Sequence, residues 1–468
     1  RRSSDLTKQE QFSNPYWMLN RQTPITDRNR YEFGGSVKYD IMEGLSVTGR
    51  LRYERGDEKW ILNEYASSTA GRNLLGTMKD TRTFSEQTYA DALASYNKTW
   101  DETYSLSVTA GGSFTKTSAS SIELIGWGDK EFKVNNGVIT PGAYYPNIFS
   151  PKNYYTMQTT ETLKEKRLNS VFATAQFGYK EGLFLDVSAR NDWSSSLAFT
   201  DGVSFFYPSV GVSALLDKFL DFGKNVDLFK LRASYGIVGN DKMENARFLY
   251  MAGAWSGYNT VAKGQGSWQF GKDGGTGLLP DAKENTMGNP DVTWETVEQT
   301  NIGLDFGFLN NTIYGELDWY SKDTKDILLA LGIPHFIGLD APEQNAGVVR
   351  NSGVEAMVGF RKTFGEFTFN TSFNLAYNKN EWIDRGGDDK NISGYNIQTI
   401  GSPLNAFYIY QADGLIANEQ ELEEYRAKYK SDPRGMSDLH AGDVKLVDTN
   451  NDGTIDPDDR QIFASNIP

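Results

Sequence analysis

The residues with the sharpest chemical meaning form one run, Asp448-Thr449-Asn450-Asn451-Asp452-Gly453-Thr454-Ile455-Asp456-Pro457-Asp458-Asp459. Oxygen-bearing side chains fall at loop positions one, three, five, nine and twelve, with glycine at six. That is the ligand spacing of a calcium loop of the EF-hand type, with Asp459 in place of the usual glutamate. A hard cation needs six or more oxygens converging without strain, and Gly453 permits the sharp turn. The spacing predicts one structural calcium ion held by Asp448, Asn450, Asp452, the Thr454 carbonyl, Asp456 and Asp459. The bland alternative is an acidic surface loop of Asn/Asp turns, since no clear pair of flanking helices is visible.

A second set of candidates is aromatic. Trp127, Tyr154, Trp255 and Trp268 stand in long polar stretches among further rings such as Trp60, Tyr144, Tyr145 and Trp193. Ring faces stack on sugars, and the intervening amides and carboxylates bond hydroxyls, so these four are the candidate substrate-binding residues. Loop packing or a membrane-rim role is the competing account of each. Other chemistries are poorly served. The chain has no cysteine, hence no thiol nucleophile, disulfide or thiolate metal site. His335 and His440 are its two histidines and lie far apart in sequence. Carboxylates are plentiful, but no spacing singles out a catalytic pair for glycoside hydrolysis, so the protein is not expected to be an enzyme. The net charge of −14, without a basic stripe, argues against nucleic acid.

The elements that carry these residues are β-hairpins. From Val354 to Tyr377 every second residue is largely apolar (Val354, Ala356, Val358, Phe360, then Phe367, Phe369, Thr371, Phe373, Leu375, Tyr377), with Glu355, Asn370 and Asn374 between. Successive strand side chains point to opposite faces, so one face is apolar and the other polar. Similar alternation predicts hairpins over 31–53, 89–114, 168–190, 205–238, 294–320 and 347–378, about twelve strands in all. A five-residue turn is read at Asp40 to Gly44, and a loop from Arg361 to Glu366. The connections alternate short and long, which a soluble sandwich has no reason to do. Short turns on one side and long loops on the other describe a transmembrane β-barrel. Residues 379–460 read as an extracellular insertion. In it Asn418 caps a helix over Glu419 to Lys430, acids first and bases last. No apolar run approaches the ~18 residues of a membrane helix, which leaves a barrel open. The chain opens on Arg-Arg-Ser-Ser-Asp without a signal segment, as expected of a cleaved leader or a piece of a longer chain.

Several ordered segments resemble the SusC/RagA family of TonB-dependent outer-membrane transporters of Bacteroidetes-type bacteria. They are Lys230-Leu231-Arg232-Ala233-Ser234-Tyr235-Gly236 followed by Gly239-Asn240; Asn289-Pro290 with Trp294-Glu295 and Gln299 to Asp305; Tyr320 to Leu328; Asn345-Ala346-Gly347 with Asn351-Ser352-Gly353-Val354-Glu355; and Gly442-Asp443-Val444-Lys445 with Asp448 to Arg460. The resemblance implies an all-β fold, part of a 22-stranded antiparallel barrel in the outer membrane. It implies TonB-driven import of a bulky nutrient together with a SusD-like surface lipoprotein. An oligosaccharide is the expected cargo and a peptide the alternative. The family's N-terminal plug, TonB-contacting segment and last strands are not recognised in this chain, which is expected to supply the middle and later part of the barrel. Outside the resemblance, a calcium-binding β-rich adhesin or glycan-binding protein competes.

Overall fold

The structure is a computed structural model and describes residues 16, 19–20, 22–64, 77–127, 132–134, 137–139, 156–241, 289–334, 341–387 and 390–463. Four long strands come first: β1 (Gln22–Met42), β2 (Leu45–Glu64), β3 (Thr77–Trp100) and β4 (Tyr104–Trp127). A small ribbon of β5 (Phe132–Val134) and β6 (Gly137–Ile139) follows. Then come β7 (Thr156–Tyr179), β8 (Leu183–Ser194), β9 (Ser204–Leu215), β10 (Val226–Asn240), β11 (Glu295–Phe308), β12 (Ile313–Ala330), β13 (Glu343–Phe364) and β14 (Phe367–Arg385). The ribbon aside, these make a 12-stranded sheet in which each strand lies beside its sequence neighbour. The chain divides into two compact units. One holds the residues up to Asn97 with Thr109–Ala173 and Asp192–Ser195; the other holds the remainder.

In the first unit β1 pairs with β2 from Gln22↔Glu64 to Met42↔Leu45, and β2 pairs with β3 along its whole length. The β1–β2 turn is Glu43-Gly44, tighter than the five residues expected. Gly44 has φ +80°, and a β-carbon there would stand 2.3 Å from the Asn97 carbonyl oxygen, so only glycine fits. Tyr31, Phe33, Val37 and Tyr39 are exposed on one face. On the other, Arg50 forks onto Asp91, which the Tyr89 hydroxyl also reaches.

The strands outrun the expected hairpins: 22–64 against 31–53, and 77–127 against 89–114. A barrel strand crosses a bilayer in about 9–11 residues, whereas β3 has 24. At roughly 3.3 Å per residue it is about 80 Å long. The surplus is held by cross-strand ion pairs, Arg28–Glu58, Arg30–Glu54 and Lys79–Glu123. Such rungs carry no apolar alternation, so the sequence pattern stops at the edge of the apolar band while the strand continues.

In the second unit the β13–β14 register sets Val354 opposite Tyr377 and Val358 opposite Phe373. The apolar positions share one exposed face: Val358 is 42% and Phe373 68% exposed. Here too the turn, Gly365-Glu366, is shorter than the loop expected. On the polar face Arg232 of β10 bonds Asp305 of β11 at 2.7 Å and Asp318 of β12 at 3.0 Å, tying three strands. Gly303 makes room for it, since a β-carbon there would lie 2.8 Å from the guanidinium carbon. Among the described residues no helix is long and apolar enough to cross a membrane.

Past β14 the chain forms a separate module. β15 (Lys390–Ser393), β16 (Asn396–Thr399), β17 (Ala406–Tyr410) and β20 (Arg460–Phe463) make a four-stranded sheet, and β18 (Ala412–Leu415) pairs with β19 (Val444–Leu446). Helix α1 (Glu419–Lys428) lies between them in sequence. The module is keyed to β14. The buried Trp382 exchanges backbone bonds with Ser402 and Gly401, Leu404 N–H donates to Asn380, and the Arg385 guanidinium sits 4.8 Å from the Trp382 ring centre.

Candidate functional site

The module builds from its helix. The Asn418 side chain accepts from Glu421 N–H at 3.0 Å, the cap expected of an N-terminal asparagine. The helix stops at Lys428, two residues short of expectation. Tyr429 is already extended, and Lys430 N–H turns to the Gly453 carbonyl at 2.8 Å. Leu422, Tyr425 and Tyr429 pack with Ile416, Leu439 and Ile455 into one small core. At its edge the Tyr425 hydroxyl donates to Asp432 at 3.0 Å, and Arg434 forks onto the same carboxylate. Burial, with the Asp432 charge beside it, pushes Tyr425 up to about 12. Burial works against the Asp432 carboxylate too, but the Arg434 side-chain and backbone N–H groups outweigh it and hold Asp432 below the usual carboxylate range.

The acidic loop lies against this core. Asp459 has no exposed surface. Its carboxylate accepts from Thr449 N–H at 2.7 Å, Asp456 N–H at 2.9 Å, Asn450 N–H at 3.4 Å and the Thr449 hydroxyl. Burial pushes its pKa up; the backbone donors of Asp456, Thr449 and Asn450 win and keep it below the usual range. Asp448 accepts from Gly453 N–H, Asn450 from Asp452 N–H, Asp452 from Thr454 N–H and Asp456 from Asp458 N–H, at 2.7–2.9 Å. All six predicted ligand positions therefore lie in one self-capped loop. Among the described residues no group of three or more His, Asp or Glu side chains converges to hold a metal. A carboxylate offers about four lone-pair sites, so these bonds leave acceptors over. The loop fits a calcium ion by donor type and spacing, not by a converged cage.

Of the aromatic candidates, Trp127 ends β4 with its side chain outside the described residues, and Tyr154, Trp255 and Trp268 lie outside them altogether. The residues that sequence reasoning missed as a site stand at the long-connection end of the second unit. Asn345 accepts from Thr293 N–H at 2.9 Å and donates to the Thr293 and Asp326 carbonyls. Trp294, buried, donates its indole N–H to the Gly202 carbonyl at 2.7 Å, and Asn289 donates to the Glu343 carbonyl. The Asn-Pro…Trp-Glu and Asn-Ala-Gly signatures are thus clamps that tie successive long connections together. Lower on the polar face, Ser107, Gln176, Asp186, Ser188, Ser209 and Ser234 line an open depression of about 670 Å³. Gln176 donates to Asp186 at 2.7 Å, and the Ser188 and Ser209 hydroxyls share a bond. Alternation alone marks these as polar-face positions; it does not show that they meet.

An antiparallel sheet with an apolar outer face, a charge-locked polar face, tight turns and long connections is the wall of an outer-membrane β-barrel. Comparison with known proteins agrees. The family described as TonB dependent receptor-like, beta-barrel matches residues 2–451, and the chain belongs to it. The chain is 25% identical over 98% of its length to a TonB-dependent receptor of Formosa agariphila and covers 44% of that protein. It is 23% identical over 97% of its length to the TonB-dependent receptor SusC of Bacteroides thetaiotaomicron and covers 43% of it. The RagAB peptide importer in its 'closed-closed' state shares the fold, with TM-score 0.69 and 19% identity over 96% of this chain and 45% of that one. The chain spans under half the length of these relatives. Its family is one of receptors and transporters, not enzymes, and places it in the outer membrane.

Proposed function

We infer that this chain is part of an energised importer of a bulky nutrient, an oligosaccharide, working through TonB and with a SusD-like lipoprotein closing over the long connections. The observation that carries the reading is the polarity of the wall. In the second unit the turns at Lys180-Glu181-Gly182 and Gly365-Glu366 close one end of the strands, while the clamps of Asn345 and Trp294 and a folded module stand at the other. Long connections are commonly functional, and the clamps at the ends of β11 and β13 suit repeated opening and closing against a partner. The partner and the energy source are carried over from the SusC-like and RagAB-like relatives. Likeness to the RagAB peptide importer at 19% identity bears on fold and not on cargo, so peptide import is the competing reading within the same class. Co-purification of the full transporter in mild detergent is expected to recover a lipoprotein of comparable size. Deleting its gene is expected to abolish growth on one polymeric glycan and leave simple sugars usable. A transporter that purifies alone, and whose loss affects no polymeric nutrient, overturns the reading and points to an adhesin or a passive pore. Calcium in the 448–459 loop belongs to the same proposal, as the element that stiffens the module beneath the partner. The spacing of Asp448, Asn450, Asp452, Thr454, Asp456 and Asp459 supports it.

A further inference from the structure

The four-stranded sheet of the module has two unlike sides. Ile397 and Ala406, cross-strand partners, are buried on one. On the other, a single row crosses all four strands: Ser393 opposite Asn396, Asn396 opposite Phe407, Phe407 opposite Phe463. The neighbouring row sets Asn391 opposite Gln398 and Ile409 opposite Gln461. The β15–β16 half of this face is therefore amide and hydroxyl, and the β17–β20 half is dominated by phenyl rings. Phe407 is 44% and Phe463 64% exposed, and Tyr395, at the β15–β16 turn, is 72% exposed. With strands about 4.8 Å apart, the long row measures roughly 14 Å across.

None of these eight positions carries a charge. The module does not lack charges to place there: residues 390–463 contain thirteen acidic and seven basic side chains. None of them occupies these two rows; the Arg385 guanidinium of β14 reaches the face at Gln398, at 3.1 Å. An exposed face with large rings and without charge marks an interaction surface. Its chemistry selects the occupant. Phenyl faces accept the C–H side of a pyranose ring, and each neighbouring carboxamide offers both donors and an acceptor to hydroxyls. The Arg385 guanidinium that reaches these rows is bonded to Gln398, so the rows themselves offer no charge to an ionic ligand, and the acidic surroundings repel an anionic one. We propose that the Phe407–Phe463 face with Asn391, Asn396 and Gln461 is a capture site for a neutral saccharide. It rests on the reading of the protein as a glycan importer and names a place where cargo is first held.

The test uses the intact transporter with its partner, in detergent. The probes are arrayed malto-, cello-, laminari- and xylo-oligosaccharides, with oligogalacturonate and an unstructured peptide as charged and non-sugar counterparts. The wild type is expected to bind at least one neutral series. Phe407→Ala/Phe463→Ala is expected to weaken that binding roughly tenfold, two ring contacts of ordinary strength, and Asn396→Ala to weaken it severalfold. Ile462→Ala, on the opposite side of β20, controls for folding and is expected to change nothing. Binding of no neutral series, unchanged binding in the double variant, or preference for oligogalacturonate or the peptide overturns the proposal. So does loss of the co-purifying partner in the double variant, which makes the face a protein interface. Failure of the importer reading itself shows differently, as a missing partner and an absent growth defect in the wild type.

Discussion

Which face of the sheet meets lipid can be decided with two arginines. Val358 lies six residues before Phe364, where β13 ends at the tight turn. Six residues at about 3.3 Å cover roughly 20 Å along the strand. With a strand tilt of about 35–45°, that is about 15 Å of depth into an apolar band about 25 Å tall, so Val358 sits near the bilayer midplane. Its cross-strand neighbours are Gly315 and Phe373, neither able to hold a charge. Val358→Arg is therefore expected to cost about 2–4 kcal/mol, roughly a 30- to 700-fold drop in the folded-to-unfolded ratio. Asn374→Arg lies one rung away on β14 but faces the polar side, opposite Met357; little change is expected there. The assay is urea unfolding of the transporter folded into lipid vesicles, followed by tryptophan fluorescence. If Asn374→Arg is the destabilised variant and Val358→Arg unfolds like wild type, the two faces have been assigned the wrong way round.

Three further outcomes follow from the rim and the module. Asn345→Ala removes a side chain that satisfies Thr293 N–H and two carbonyls; a loss of about 1–3 kcal/mol and faster hydrogen exchange at Thr293 are expected, and unchanged exchange counts against the clamp. Asp459 and Asp432 are held below the ordinary carboxylate pKa of about 3.9, so their contribution is present above that value and lost as pH falls through the folded one. Near-ultraviolet circular dichroism of the Tyr425–Tyr429 core is expected to hold from neutrality to about pH 4 and collapse below, and Asp459→Asn to weaken the core already at neutral pH. Calcium analysis of purified protein is expected to find one ion that Asp452→Ala reduces; equal calcium in both samples removes the ion and leaves a loop closed by hydrogen bonds alone.

The barrel-wall architecture was legible because a strand half in lipid writes its burial into every second residue. From Val354 to Tyr377 that pattern shows which residues share a face; the register did not follow from it, since a loop at Arg361 to Glu366 sets Phe360 against Phe367, whereas Phe360 pairs with Thr371. Legibility ended where lipid ended. Beyond the apolar band, Arg28–Glu58 and Arg30–Glu54 pair across strands whose backbone ladder continues, but oppositely charged rungs look like loop in a sequence. The turns were read too long for a related reason. Glu43-Gly44 and Gly365-Glu366 are closed by a single positive φ each, while the residues flanking them are polar and resemble loop. In the module, Asn418 and the acid-to-base gradient located α1, whereas its end was set by Gly453, far along the chain. The 448–459 loop shows the limit of motif spacing: the same Asn/Asp residues that would ligate a cation also cap a turn, and spacing does not separate the two uses.

The residues that carry the family resemblance point to a division of labour within the rim. Arg232, Gly303, Asp305 and Asp318 form one polar-face lock across β10, β11 and β12. Trp294 and Asn345 clamp the starts of β11 and β13 to their neighbours. Arg232 is spent on Asp305 and Asp318, Trp294 on the Gly202 carbonyl and Asn345 on Thr293 and Asp326, while Asp318 Oδ1 alone of this set is left without a partner. Signature residues of this kind define the frame that a transporter of this family needs whatever it imports. Cargo preference has to come from side chains whose donors, acceptors or ring faces are still open to solvent. In the second unit the face around Phe407 and Phe463 is one such surface. A glycan importer and a peptide importer with the same clamps would then differ at such surfaces, and exchanging those surfaces between relatives, with the clamps left intact, is the change expected to move cargo preference without moving the fold.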